Sequence, residues 1–413
     1  MPIEAQDLST TNAEMLSGFN SQTGRTNTST TLLSLGDSMA DSEKSIAVVI
    51  MNRMGNLFGF TGISLNNWQN NSLYVVTNGA KYLPVDNIWF SDHFILPPGS
   101  ALWWYKLYYT GYWCDRVGVF YVSQPLGGTM QISISTNGGP WGGVLTIDGY
   151  SPTPAGHYTN VVLNRNYHRL RVDGLTGTNY VIGGPDMTDS TATGIKMAFL
   201  DRGGIALSDM TNVPMSIRQP ILKALNPQLI MLHMKEDSSL GTSNGLLNLE
   251  EWFSNSVPSS AIVYIGTPYC STDTNSPGWT PAQNAVFRKV AVDHNRVYVD
   301  CMTPSVSYAW QVAQGYMVDS AHEDLAGSTY LAGFAWRQLF FWVGAPRTIA
   351  ISRTAPGIVA ITAPTLAGLT STLESSSNRV NWTAVCTSTN GATISTNVPA
   401  GSASQWYRLH LTP

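Results

Sequence analysis

Charged side chains are scarce in this sequence. They make up 12% of its 413 residues, with 22 basic and 26 acidic groups and a formal net charge of −4. Globular proteins usually carry about 25% charged residues, roughly twice this share. The chain also lacks any basic cluster or run of one sign. It therefore has no electrostatic footprint for nucleic acid or an anionic membrane surface, and we expect neither as a partner.

Long apolar runs are missing as well, and we expect no signal peptide in this sequence. The longest apolar stretches, such as LFFWV at 339–343, are too short to span a bilayer. The start MPIEAQDLST has no basic region followed by an apolar one, as a signal peptide would. Asn, Ser, Thr and Gly take the polar positions beside 13 Trp and 18 Tyr, which suits carbohydrate-rich surroundings. We expect a secreted protein that begins at a mature end; the alternative is a cytoplasmic protein.

Cysteine is also rare, with four residues and no zinc-type spacing. We expect no metal site. Cys270 and Cys301 close the segments AIVYIGTPYC and RVYVDC, two predicted buried strands that end on the same side of a sheet. Either they form a disulfide or they are two small buried thiols.

Three regions differ in their pattern. Over 31–60 and 195–345, short apolar runs alternate with helix-period segments, which predicts βαβ units and a parallel sheet. A helix should follow the strand TLLSL, capped at its start by Asp41 or Ser42 and ended by Gly59. Alternating strands and turn residues over 75–190 predict an inserted antiparallel β-sandwich. Its aromatic stretch 102–113 is interpreted mainly as core, with a sugar-stacking surface as the alternative. Residues 346–413 predict a small C-terminal β-sandwich.

Two short motifs carry candidate chemistry. Gly36, Asp37 and Ser38 leave the first predicted strand where a helix begins, a place that lifts a hydroxyl to the carboxyl edge of a sheet near helix-start N–H groups. A serine needs a base and a group that orients the base. Asp319 and His322, three residues apart before the last predicted helix, provide both. Each motif alone is also typical of simple helix capping. Their order along an α/β chain favours a Ser-His-Asp triad.

This arrangement resembles the SGNH (GDSL) hydrolase family, which has a flavodoxin-like α/β fold and hydrolyses esters and amides. The resemblance covers the α/β parts, about 200 residues. It implies Ser38 as nucleophile, His322 as base and Asp319 as the orienting acid. Ser38 N–H and the N–H of Gly204, or alternatively Gly203, would bind the oxyanion. The later Gly327 fits the family's HPNxxG pattern.

The family's third block, usually PDLVxxxxGxND, differs here. The segment PQLIMLHMKEDSS puts Lys235 at the glycine position and Asp237 where the family has an asparagine that donates to the oxyanion. An ionised Asp has no donor, and losing one such donor costs about 10²–10³ in rate. The third donor is Asn244, a protonated Asp237 or, electrostatically, Lys235. Asp237 and Trp279 are also assigned to the substrate-binding region.

These residues predict a secreted, monomeric serine esterase that removes O-acetyl groups from a polysaccharide or glycan without a cofactor. The catalytic domain would comprise 1–74 and 191–345, with an inserted, carbohydrate-binding-like domain at 75–190 and a C-terminal module at 346–413. That module resembles ones found on secreted bacterial carbohydrate-active proteins. The alternatives are a non-catalytic glycan-binding protein on a degenerate scaffold and a lipase or polyester hydrolase of the same mechanism. His233 is predicted to be a core residue, and Glu323 and Asp324 to cap the last helix.

Overall fold

The structure is a computed structural model of the chain. It describes residues 29–37, 39–40, 45–65, 73–83, 89, 93–107, 113–202, 205–234, 242–276, 278–340, 350–355, 358–363, 370–376, 383–388, 394–399 and 406–412. The chain forms two compact units, Met1–Ala332 and Gly333–Pro413. Among the described residues, no helix combines the length and apolar character needed to cross a membrane.

In chain order the elements are β1 (Ser29–Gly36), α1 (Ile46–Phe58), β2 (Phe60–Ser64), β3 (Leu73–Asn78), β4 (Lys81–Leu83), β5 (His93–Leu96), β6 (Ala101–Leu107), β7 (Cys114–Ser123), β8 (Thr129–Thr136), β9 (Gly142–Asp148), β10 (Ala155–Asn166), β11 (His168–Gly174), β12 (Asn179–Thr188), β13 (Gly194–Asp201), α2 (Leu207–Asn212), α3 (Met215–Leu225), β14 (Leu229–His233), α4 (Thr242–Ser256), β15 (Ala261–Ile265), α5 (Thr272–Asn275), α6 (Trp279–Asp293), β16 (Val297–Val299), α7 (Met302–Ser305), α8 (Tyr308–Ala313), α9 (Leu325–Phe340), β17 (Ala350–Ala355), β18 (Ile358–Ala363), β19 (Thr370–Ser376), β20 (Thr383–Ser388), β21 (Ile394–Pro399) and β22 (Trp406–Thr412).

A parallel sheet forms the centre of the first unit, as the βαβ pattern predicts. Its strands lie in the order β2-β13-β1-β14-β15-β16. If β2 is left out and the other five strands are numbered by their order in the chain, their spatial order is 2-1-3-4-5. This is the strand order of flavodoxin-like sheets. Strands β14 and β15 are buried along their whole length and β1 is buried except at Ser29, as expected for a sheet covered on both faces.

The first helix begins later than the sequence suggests. Ser45, rather than Asp41 or Ser42, is the N-cap of α1, and its Oγ accepts a hydrogen bond from Val48 N–H at 3.1 Å. Gly59 ends the helix as predicted, with its N–H donating to the Gly55 carbonyl at 2.8 Å. Ser45 directly precedes the first apolar turn, which makes it the better placed cap.

The strands between 73 and 188 are antiparallel and fall into two sheets. One continues the central sheet, because β12 pairs antiparallel with β2 and then with β7 and β5. The other has the order β3-β6-β11-β8-β9. The predicted antiparallel strands are thus present, and half of them extend the parallel sheet. Their arrangement as a sandwich stays a prediction.

The second unit contains two described three-stranded antiparallel sheets, β17-β18-β21 and β20-β19-β22. Ile361 and Leu373 are fully buried, one in each sheet. The small C-terminal β-sandwich likewise stays a prediction.

Candidate active site

The turn that follows β1 brings two strands unusually close. Gly36 lies opposite His233 at the end of β14. A methyl group on the Gly36 Cα would come within 1.9 Å of the His233 carbonyl oxygen, so no larger residue fits without moving a strand. Asp37 is buried, and its Oδ1 accepts a hydrogen bond from Met39 N–H at 2.9 Å. Asp37 therefore supports the turn.

The predicted nucleophile, Ser38, lies outside the described residues, between two described parts of this turn. Four other predicted site residues, Gly203, Gly204, Lys235 and Asp237, also lie outside the described residues. The strand ends from which these segments depart are neighbours at one edge of the sheet, because Gly36 pairs with Asp201 on one side and with His233 on the other. The topology is therefore compatible with a shared site, and the individual roles stay predictions.

Asp319 and His322 form the hydrogen-bonded pair that the sequence predicts. The His322 Nδ1 lies 2.8 Å from one carboxylate oxygen of Asp319 and 3.0 Å from the other. Since an ionised carboxylate only accepts, Nδ1 carries the proton, and Nε2 is the ring nitrogen that does not face Asp319. The Asp319 side chain is 51% exposed and the His322 side chain is 38% exposed. The pair therefore lies at the surface, where a substrate can reach it.

The Asp319 carboxylate is held in its charged form. Burial by itself would raise its pKa, but the N–H groups of Ala321 and His322 and the His322 ring outweigh this and lower the pKa from 3.8 to about 2. Both backbone N–H groups donate to Oδ1, at 2.7 and 2.8 Å. The stabilisation that the charged group gives to its loop is thus fully present above pH 3.8 and is lost as the pH falls through about 2.

Backbone hydrogen bonds fix the loop that carries this pair. Met317 and Glu323 form an antiparallel bridge, and Val318 N–H donates to the His322 carbonyl at 2.9 Å. From the neighbouring loop, Ser271 N–H donates to the Ser320 carbonyl at 2.9 Å. The imidazole is thus presented from a closed, braced turn, which is the pre-organisation that proton transfer requires.

Helix α9 begins directly after this loop. Asp324 caps α9 as predicted, and its Oδ1 accepts a hydrogen bond from Gly327 N–H at 2.7 Å. Glu323 lies one residue before Asp324, where it is 7% exposed and forms the bridge to Met317; its capping role stays a prediction.

Gly327 should tolerate no side chain. A methyl group there would lie 2.4 Å from the Tyr316 carbonyl oxygen, at the base of the His322 loop. We expect Gly327→Ala to lower the kcat of the predicted esterase by about tenfold or more through displacement of His322. Steady-state kinetics of the wild type and Gly327→Ala test this, with thermal melts as the control for folding; an unchanged kcat would contradict it.

An aspartate that the sequence analysis did not select organises the neighbouring loop. Asp273 accepts hydrogen bonds from Thr280 N–H at 3.0 Å, Thr280 Oγ1 at 2.6 Å and Cys270 N–H at 3.2 Å. This network holds the segment from which Ser271 braces the His322 loop. Trp279, which is predicted to lie in the substrate region, is the first residue of α6 and is half-buried. Its contact with substrate stays a prediction.

Cys270 and Cys301 are free thiols, which confirms the second of the two alternatives. Both are buried, and burial raises the pKa of the Cys301 thiol well above its usual value. The Cys301 thiol therefore remains protonated, and both cysteines act as small core residues. In the part of the chain that the structure describes, no group of three His, Cys, Asp or Glu side chains is arranged to hold a metal.

Two further predicted residues are described. His233 is fully buried, as predicted, and burial lowers its pKa to about 3 against an opposing effect of the Met39 backbone, so the ring is neutral at neutral pH. Asn244 lies on the first turn of α4 and is exposed. Its role as third oxyanion donor stays a prediction.

Comparison with known proteins places this geometry in a known fold. No family model and no curated protein matches the sequence. Among solved structures, one described as "Peptidoglycan O-acetylesterase in action, 5 min" aligns with a TM-score of 0.60 and 14% identity, over 80% of this chain and 95% of the other. A putative GDSL-like lipase from Parabacteroides merdae gives a TM-score of 0.31 and 15% identity, over 35% of this chain and 73% of the other.

A third solved structure is an active-site mutant of a family two carbohydrate esterase from Clostridium thermocellum, with a TM-score of 0.26 and 10% identity, over 64% of this chain and 99% of the other. Of these three TM-scores, the first, 0.60, is high enough to show a shared fold. The chain therefore has the fold of the SGNH hydrolases, as its sequence resemblance implies.

Proposed function

We propose that this protein is an SGNH-type serine esterase that removes O-acetyl groups from a polysaccharide or glycan. The observation that carries the proposal is the Asp319–His322 pair, with Nδ1 held at 2.8 Å from the carboxylate on a braced loop. The fold adds support, because a solved structure that shares it is described as a peptidoglycan O-acetylesterase.

In the proposed reaction, Ser38 attacks the acetyl carbonyl and His322 Nε2 takes its proton. His322 then gives that proton to the departing sugar oxygen, leaving an acetyl group on Ser38. A water molecule activated by the same nitrogen releases acetate. Asp319 holds the ring and stabilises the imidazolium, and no cofactor takes part.

The oxyanion that forms at the carbonyl would be bound by the N–H groups of Ser38 and of Gly204 or Gly203. Asn244, Asp237 or Lys235 would provide the third interaction. The segment that contains Lys235 and Asp237 follows β14, whose last residue His233 pairs with Gly36, and Asn244 lies on the first turn of the helix after that segment. Trp279 and Asp237 would shape the substrate region, and we expect the enzyme to act as a secreted monomer.

Hydrolysis of 4-nitrophenyl acetate, butyrate and octanoate by the wild type and by Ser38→Ala tests this proposal. We expect acetate-selective activity that falls by about 10⁴-fold or more in the variant, because the nucleophile is lost. Melting curves of both proteins control for folding. Preference for octanoate would favour the lipase alternative, and full activity in Ser38→Ala would exclude the serine mechanism. A folded wild type without any activity would favour a glycan-binding protein.

A further inference from the structure

A second concentration of polar and aromatic groups lies on the sheet β3-β6-β11-β8-β9. On β11, Leu170 and Val172 are buried, and they alternate with Arg169, Arg171 and Asp173, which are half-buried. Side chains of a strand alternate between its two faces, so these three charged residues share the face opposite the apolar core.

Neighbouring strands extend this charged face on both sides. Arg171 lies opposite Trp103 of β6 and Ser133 of β8, and Asp173 lies opposite Gln131 of β8. Trp103 and Gln131 are half-buried. With strands about 4.8 Å apart, the three strands present a row of groups about 10 Å wide. This is a platform of the size of a sugar residue or two, with an indole at one end.

Trp141 lies against both arginines. Its ring centroid is 5.3 Å from the guanidinium carbon of Arg169 and 5.4 Å from that of Arg171. A cation within about 6 Å of an indole is attracted by the ring, so Trp141 keeps two like charges together that would otherwise separate.

The charges on β11 do not balance among themselves. The Arg171 Nε donates to Asp173 Oδ2 at 2.9 Å, and Ser133 Oγ donates to the same oxygen at 3.3 Å. Arg169 instead donates to neutral acceptors, Ser135 Oγ at 2.7 Å and the Gly139 carbonyl at 3.5 Å. Two guanidinium groups and one carboxylate leave one positive charge among these three residues, while Asp148 of β9 lies on the same face, two residues beyond the partner of Gln131.

A comparable pair elsewhere in the chain is neutral. Arg165 lies 5.7 Å from the ring centroid of Trp113, and its Nε donates to Asp189 at 2.7 Å. Each charge there has a partner, as is usual for an arginine that only supports structure. The excess charge beside Trp141 therefore calls for a different explanation.

We propose that the face formed by Trp103, Gln131, Trp141, Arg169, Arg171 and Asp173 binds an oligosaccharide that contains a uronate. A guanidinium fork matches the geometry of a carboxylate, indole rings pack against the apolar face of a sugar ring, and Gln131 offers an amide to its hydroxyl groups. One excess positive charge fits one carboxylate, while Asp173 would repel a dianionic phosphate. This site goes beyond the proposed esterase, because it requires neither Ser38 nor His322.

Titration calorimetry of the full chain with oligogalacturonate, at low ionic strength, tests the proposal. Xylo-oligosaccharide of equal length is the neutral comparison. We expect the uronate to bind about tenfold or more tightly than the neutral chain, with binding that weakens as salt is added. The double variant Arg169→Gln/Arg171→Gln should lose about tenfold or more of this affinity. Arg165→Gln, which removes the same kind of charge from the neutral pair, should leave it unchanged.

Three further measurements separate the possible outcomes. Ser38→Ala should bind oligogalacturonate like the wild type, so a failure of the esterase proposal does not affect this one. The double variant Arg169→Lys/Arg171→Lys keeps both positive charges but loses the guanidinium forks, so it should also lose affinity. It is measured in place of the Gln variant if that variant unfolds. Equal affinity for both glycans, unchanged affinity in the Gln or Lys variants, or binding of a sulfated glycan alone would overturn the proposal.

Discussion

Replacing His322 with alanine should lower kcat/KM for 4-nitrophenyl acetate by on the order of 10⁴-fold. A serine hydroxyl is a poor nucleophile without a base, and His322 Nε2 is the base that the Asp319 contact leaves available. KM should change little, because the imidazole acts mainly in the transition state. Initial rates over a range of substrate concentrations give both constants.

Added imidazole provides the control for this prediction. The His322 side chain is 38% exposed, so a free imidazole can enter the space left by the alanine variant. We expect it to restore part of the lost activity in His322→Ala and none in Ser38→Ala, which also serves as the blank for the uncatalysed reaction. A His322→Ala enzyme with near wild-type activity would assign the base to another residue. Equal rescue of His322→Ala and Ser38→Ala would show that imidazole hydrolyses the ester in solution, without the enzyme.

The sequence predicts the α/β architecture well because its evidence is local. Short, mostly apolar strands such as Leu229–His233 differ clearly from the helix-period segments between them. The Asp319–His322 contact was predictable for the same reason, since three residues in one turn are enough to bring a carboxylate to an imidazole.

Contacts between distant residues were not predictable in this way. The pairing of Met187 with Ile63, which joins the antiparallel strands to the parallel sheet, depends on a register that neither strand specifies alone. Asp273 looks like any loop aspartate until its hydrogen bonds to Thr280 are seen. The positive face beside Trp141 likewise depends on cross-strand neighbours that no local pattern encodes.

The most destructive single change we expect is Gly36→Ala. The new methyl group would lie 1.9 Å from the His233 carbonyl oxygen and 2.8 Å from its carbonyl carbon, far inside van der Waals contact. Both atoms belong to the backbone of β14, an inner strand of the parallel sheet, so no side chain can move aside to relieve the overlap. Strands β1 and β14 would have to separate, and we expect a loss of about 4 kcal/mol or more in the free energy of unfolding.

Urea unfolding and thermal melts of Gly36→Ala measure this loss, with Gly142→Ala as the matched control. Gly142 also lies at a strand end, but the nearest heavy atom to its added methyl is 4.0 Å away. The control should therefore change stability by less than about 1 kcal/mol. Any Gly36→Ala protein that folds should also have lost esterase activity, because the turn that carries Ser38 starts at this glycine. Retention of both stability and activity would mean that the two strands are not held at this spacing, and the position assigned to Ser38 would then be wrong as well.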